Sequence, residues 1–421
     1  MKPAAFALPL VTLAAGGFWI ISQQNSASVL EKENEELRSR IAHQAGPSGA
    51  ESSPNPHSTR DRRPKQITKE KLDWKQVLEK LGPMMRGGGV GDVREMVRFQ
   101  TRLQAMSVEE IVAALDEIAG LDVPATDRAL LEQMMMGSLI QKDPKLALDR
   151  SIGRLGEDDA NGASWMLSSA LGEWSKKEPS LAAAWLDEQV AAGKLETKSL
   201  DGKNRVRSQF EGALINALLA SDPDAASRRL GALPENQRAD ALRYQFSPVE
   251  EAGQAALAKI IREQLPQKEQ IDILANPAIQ LAQKDYASVT RYLDRIAATP
   301  EERKGIAGKT AGQKISMLSY NQKIGREDIE GMRGWLATQA PESTDRITGE
   351  ALGSISPRGK KNSFEDTAAL AVEFHESSGN DDVMVGFLGS HTALSNRQAA
   401  RDLAGKISDE KRRADVLKRL K

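Results

Sequence analysis

Residues 160–192, ANGASWMLSSALGEWSKKEPSLAAAWLDEQVAA, hold the unit from which the chain is built. Leu167, Ala170, Leu171 and Trp174 recur at i, i+3, i+4 and i+7, so one face of a first helix is apolar. Pro179 suits a first helical position, where its missing N–H costs nothing, and Ala182, Trp185, Leu186 and Val190 line a second apolar face. The spacing predicts two short antiparallel helices joined at Glu178. Neither buries its stripe alone, so the hairpin requires similar neighbours.

Such neighbours recur along the chain. Asp143-Pro144, Glu178-Pro179 and Asp222-Pro223 follow one another at intervals of 35 and 44 residues, each with an alanine three residues after the proline: Ala147, Ala182 and Ala226. Ahead of the first lie Leu131, Met134, Met135 and Leu139, and ahead of the third Phe210, Leu214, Ala217 and Leu218, again at helical spacing. Beyond Leu233 the match loosens. Residues 249–265, 271–282, 288–297, 327–339 and 363–377 still read as helices, and two more start near Arg397 and Asp409. Ser107, Ser247 and Thr299 each stand three residues ahead of a glutamate, the reciprocal arrangement that caps a helix N-terminus. The expectation is an all-α, α-solenoid-like helical-hairpin repeat over residues 67–421.

Composition agrees with close-packed helices. Of the 421 residues 40% are hydrophobic and only 4% aromatic. With 58 basic and 59 acidic residues the formal net charge is -1, which gives no global attraction to nucleic acid. There is no cysteine, so disulfides, thiolate catalysis and cysteine-based zinc sites are excluded.

The N-terminal part reads differently. Residues 4–21 are eighteen without a charge, behind Lys2. At about 1.5 Å per residue they reach roughly 27 Å, close to the roughly 30 Å of a bilayer core. Residues 1–22 are therefore expected to anchor the chain in a bacterial inner membrane as a single pass, with the rest on the periplasmic side. Ser26-Ala27-Ser28 keeps open the alternative of a cleaved signal and a secreted protein. In residues 26–45, Leu30, Asn34, Leu37 and Ile41 form a heptad seam, with Asn34 at an a position where a buried amide selects a two-stranded register. A homodimer through that segment is one expectation, and a solvated juxtamembrane helix the other. Residues 46–66 are a Pro- and Ser-rich linker expected to be disordered, ending in the basic cluster Arg60, Arg62, Arg63 and Lys65. A run of glycines at 87–91 reads as a loop between helices.

Leu171-Gly172 followed by Trp174, with the small residues Ala182 to Ala184, resembles a degenerate tetratricopeptide or HEAT-type repeat over residues 130–233. It departs from the tetratricopeptide pattern, which places its aromatic three residues after the glycine and its proline at the end of the second helix. With the anchor and linker, the chain also resembles uncharacterised membrane-anchored bacterial α-helical repeat proteins, a resemblance that implies no activity.

Motifs for chemistry are weak. The segment Gly305-Ile-Ala-Gly308-Lys309-Thr310 suggests a phosphate loop, but Arg303 stands where the first glycine is needed. Ser408-Asp-Glu-Lys411 has Ser-x-x-Lys spacing and reads better as a helix cap. His375-Glu376 lacks the second histidine of a zinc-protease helix. Glu376-Ser377 is similar to the Glu-Ser pair of lytic transglycosylases, but Ser-Ser-Gly-Asn-Asp follows and reads as a loop, whereas a general acid needs burial. Trp165, Trp174, Trp185 and Trp335 could anchor a partner, although Trp174 and Trp185 share faces with Leu and Ala and read as packing. The methionines 134–136 read mainly as core filling.

No catalytic residue, cofactor or metal ligand is therefore assigned. The expected function is that of a non-enzymatic envelope scaffold that binds another protein. The alternatives are a cell-wall-active enzyme of lytic-transglycosylase-like helical type and a purely structural tether.

Overall fold

The computed structural model describes residues 72–85, 93–154, 163–196, 202–243, 249–355 and 361–421. The hydrophobic run 4–21, the seam Leu30, Asn34, Leu37 and Ile41, the linker 46–66, the glycine run 87–91 and the Ser247 cap lie outside the described residues. Among the described residues all regular structure is helical, with no strand. The chain divides into two compact units, one ending at Leu167 and one running from Ser168 to Lys421.

The first unit contains α1 (Trp74–Met85), α2 (Val93–Ala105), α3 (Val108–Ala119), α4 (Ala125–Lys142) and α5 (Pro144–Ser151). Ser107 caps α3 in the expected way: its hydroxyl accepts from the Glu110 amide, and the Glu110 carboxylate accepts from the Ser107 amide at 2.8 Å. Leu131, Met135 and Leu139 of α4 are fully buried with Ile111 and Ile118 of α3, while Met134 and Met136 pack at the edge of this core. A single residue, Asp143, separates α4 from α5, and its carboxylate accepts from the Leu146 amide at 2.9 Å.

The two predicted helices are α6 (Ala163–Lys177) and α7 (Pro179–Ala191). Leu167, Ala170, Leu171 and Trp174 are all buried, as are Ala182, Trp185 and Leu186. The last turn of α7 differs from the sequence pattern. Gln189 takes the buried position expected for Val190, and Lys194 Nζ satisfies its amide oxygen at 2.8 Å.

The second unit continues with α8 (Arg205–Ser221), α9 (Pro223–Ala232), α10 (Glu235–Arg243), α11 (Gln254–Gln264), α12 (Gln267–Ala282), α13 (Tyr286–Arg295) and α14 (Pro300–Asn321). It closes with α15 (Arg326–Gln339), α16 (Thr344–Gly353), α17 (Phe364–Ser378), α18 (Asp382–Leu388), α19 (His391–Ser395), α20 (Arg397–Ala404) and α21 (Glu410–Arg419). Asp222 caps α9 at 2.9 Å as Asp143 caps α5. The motif also persists without its proline. Asp285 caps α13 through the Ser288 amide, and Val289, at the offset of Ala147, is fully buried.

Helices of the second unit pack in an alternating order. The even-numbered ones touch in succession, α8 on α10, α10 on α12, α12 on α14, α14 on α16 and α16 on α18. Small residues permit these approaches: a Cβ at Gly212 would overlap the Ala241 carbonyl, one at Gly349 the Val383 carbonyl, and one at Gly386 the Arg346 carbonyl. Odd-numbered helices are joined in succession by side-chain bonds. Arg229 of α9 reaches Asp187 of α7 at 2.9 Å, and Gln264 of α11 reaches Ser227 of α9 at 2.7 Å. Arg295 of α13 bonds Gln254 of α11, the Trp335 indole of α15 donates to Thr290 of α13 at 3.1 Å, and Arg326 of α15 pairs with Glu373 of α17. These five links span 37 to 47 residues of chain. Lys176 with Glu250, at 3.5 Å, reaches much further along the chain.

Three local expectations are corrected. Ser377 and Ser378, the start of the expected loop, end α17 instead, and the helix closes on Gly379 at φ 67°, a left-handed conformation that glycine adopts without penalty. The final helix is capped by Asp409 rather than Ser408, with the Arg412 amide donating at 2.8 Å. The helix expected from residue 249 starts later, after a 3₁₀ turn at Glu251–Gly253.

Candidate partner-binding surface

Several polar side chains are held where neighbouring helices meet. Glu211 of α8 is buried, and burial pushes its carboxyl above the ordinary range even though Arg229 Nε donates to it at 2.6 Å. Arg229 thus holds Glu211 and Asp187 together, locking α7, α8 and α9. Between α13 and α15, Tyr286 stacks on Trp335 with ring centroids 4.5 Å apart, and Lys314 Nζ sits 4.2 Å from the Tyr286 centroid. Burial raises the Tyr286 phenol and lowers the Lys314 ammonium.

An open groove of about 670 Å³ lies between α17 and α20. Here α20 packs on α18, α19 and α21 and presents Ala399, Asp402 and Leu403 to the groove. Its apolar lining is Phe364, Ala368, Ala369 and Val372 from α17, with Ala399 and Leu403 from α20. Glu365, Glu373 and Glu376 line it from α17 and Asp402 from α20. Glu373 pairs with Arg326, and Glu376 with Lys406 at 3.3 Å. Glu365 and Asp402 have no basic partner within ion-pair distance among the described residues.

The motifs singled out in the sequence are distributed rather than gathered. Gly305 to Thr310 lies inside α14, so its amides belong to the helix, and Lys309 pairs with Asp272 of α12 at 2.8 Å. The His375 ring bridges the carbonyls of Asn380 (2.8 Å) and Lys406 (3.2 Å). Glu376 is 65% exposed. Burial opposes the Asp381 charge, but the Ser408 and Asp409 amides, both donating to it at 2.9 Å, together with nearby positive charge including Arg412, hold that carboxyl below its ordinary range. Trp174 and Trp185 meet edge to face at 6.3 Å, and Trp185 lies 6.3 Å from Phe210, so both are interior packing. Among the described residues no group of three or more His, Asp or Glu side chains could hold a metal ion. None of the described helices is long and apolar enough to cross a membrane.

Sequence reasoning missed the groove because its apolar lining is largely alanine and valine on an otherwise acidic helix. The only local trace is the run of acidic residues at 365, 366, 373 and 376. No protein-family model matches the chain, no curated protein matches it, and no solved structure matches it.

Proposed function

We propose that this protein is a non-enzymatic scaffold, an α-solenoid-like array of helical hairpins that holds a protein partner. Its array is tethered to the bacterial inner membrane by residues 4–21 and stands on the periplasmic side. The tether rests on the uncharged length of that run. The observation that carries the scaffold is the unbroken succession of side-chain links from α7 to α17, each joining one odd-numbered helix to the next. A chain whose elements bind chiefly their neighbours extends a surface instead of closing around one pocket, which is how repeat proteins bind other proteins.

The rival is a cell-wall-active enzyme using Glu376 as its acid. A general acid works from a desolvated position, whereas Glu376 is largely in water and paired with Lys406. Crosslinking of the full chain in native membranes, followed by mass spectrometry, tests the scaffold. It predicts a protein recovered in fixed proportion and released by surface substitutions. Turnover of a glycan or peptide substrate that disappears in one carboxylate variant would contradict it.

A further inference from the structure

We propose that the groove between α17 and α20 receives a basic amphipathic helix from a partner protein. The proposal rests on the scaffold reading and adds the partner's chemistry.

Shape comes first. The groove residues of α17 run from Phe364 to Glu376, roughly 18 Å at 1.5 Å per residue. That is a linear site a little over three helical turns long, open to solvent along its length. Three of its lining residues are alanines, Ala368 and Ala369 on one side and Ala399 on the other, small side chains that let a helix backbone approach closely. Leu403 and Val372 remain partly exposed in that lining, an apolar strip that an incoming leucine or valine would cover. The cause lies in helix length: α17 has 15 residues, and α20, which faces it, has 8. A shorter helix leaves part of the longer one's face uncovered.

Charge selects the occupant. Both walls carry carboxylates, and those of Glu365 and Asp402 lack a cation of this chain among the described residues. Arg326 and Lys406 each neutralise one of the other two. An acidic or neutral helix would bring no compensation for the remaining pair, whereas lysines or arginines flanking an apolar stripe would meet them on both edges. Such pairs at a rim steer association and fix orientation, and they weaken with salt.

The test uses the full chain and three synthetic peptides of about 14 residues, the length that spans the groove. The first has a leucine and alanine face flanked by lysine and arginine. The second keeps that face but carries glutamate at every basic position. The third has the first peptide's composition, scrambled so that no face is apolar. Binding is read by fluorescence anisotropy for wild type, for the E365K/D402K double variant and for Ala369→Trp, which fills the groove from an exposed position.

Only the first peptide should bind wild type, and its affinity should fall at least about tenfold in each variant and with added salt. Absence of binding, equal binding of the second or third peptide, or unchanged binding by both variants would overturn the proposal. So would a dimer in sedimentation equilibrium that the same substitutions abolish, because the groove would then belong to a second copy. Hydrogen exchange on the same variants separates the two levels. Failed binding with protection lowered only in α17, α20 and the helices they touch removes only the groove's role, and protection lowered uniformly from α8 to α18 removes the scaffold.

Discussion

Arg262 of α11 grips Glu302 at the start of α14 with two bonds, Nε to Oε1 and Nη2 to Oε2, both 2.8 Å long. The two residues are 40 apart in sequence. The same carboxylate accepts from the Thr299 amide at 2.8 Å, so one side chain closes the capping box of α14 and ties that helix to α11. Burial opposes the Glu302 charge, yet Arg262 and Thr299 hold its carboxyl below the ordinary value. A depressed carboxylate adds stability above its unfolded pKa, and that stability is lost as pH falls through the lower folded value. Glu302→Gln should cost about 2 kcal/mol at neutral pH, the range of a charge-assisted bond, and less in acid. Urea unfolding of both proteins at neutral and acidic pH checks this.

Lys323 and Asp366, 43 residues apart, form a second long-range pair at 2.8 Å. The Lys323 ammonium, with the Ser363 amide and hydroxyl, lowers the Asp366 carboxyl from 3.8 to about 2. In Lys323→Ala the carboxyl should titrate closer to 3.8, still lowered by its capping bonds to Ser363. Carbon-detected NMR titration reads this directly. An unchanged value would mean that the pair does not form in solution.

Glycines at helix crossings should be irreplaceable, and exposed ones should not. Gly349→Ala forces a methyl into the Val383 carbonyl and should cost about 3 kcal/mol by overpacking the contact of α16 with α18. Gly331 and Gly334 of α15 have open space around the Cβ position. Gly331→Ala and Gly334→Ala should each stabilise by up to about 1 kcal/mol through helix propensity. Thermal unfolding of the three variants gives opposite signs if the crossings are as described.

The three proline starts look alike in sequence but are capped differently. Asp143 and Asp222 accept amide bonds from their own helices, so Asp143→Ala and Asp222→Ala should each cost about 1 kcal/mol. Glu178 makes no such cap and instead accepts from the Trp174 indole at 2.7 Å. Glu178→Ala leaves that buried N–H unpaired and should cost about 1–3 kcal/mol. The variant should also shift tryptophan emission, which neither aspartate substitution does.

The individual helices were legible where local chemistry is strong. Pro144, Pro179 and Pro223 fix helix starts, and the stripe from Leu167 to Trp174 declares its face, because both signals depend only on near neighbours. Past Leu233 the pattern faded for a physical reason. At Asp285 the cap survives, but tyrosine replaces the proline, and Tyr286 spends its ring on Trp335 instead. The α14 segment resembled a phosphate loop because Gly305 sits where Ile271 of α12 packs tightly against its backbone, a tertiary cause with no local signature. Gln189 displaced Val190 for a similar reason, since Lys194 makes its burial affordable. The links between Arg262 and Glu302 or Trp335 and Thr290 join residues 40 and 45 apart, beyond what spacing within one helix can reveal.

Native-state hydrogen exchange on the Gly349→Ala protein tests the neighbour-to-neighbour array most directly. If each hairpin rests chiefly on the adjacent ones, protection should drop most in α16 and α18, less in α14, and remain near wild type in α8 and α9. A uniform drop from α8 to α18 would mean a single cooperative core, and the extended scaffold would be contradicted.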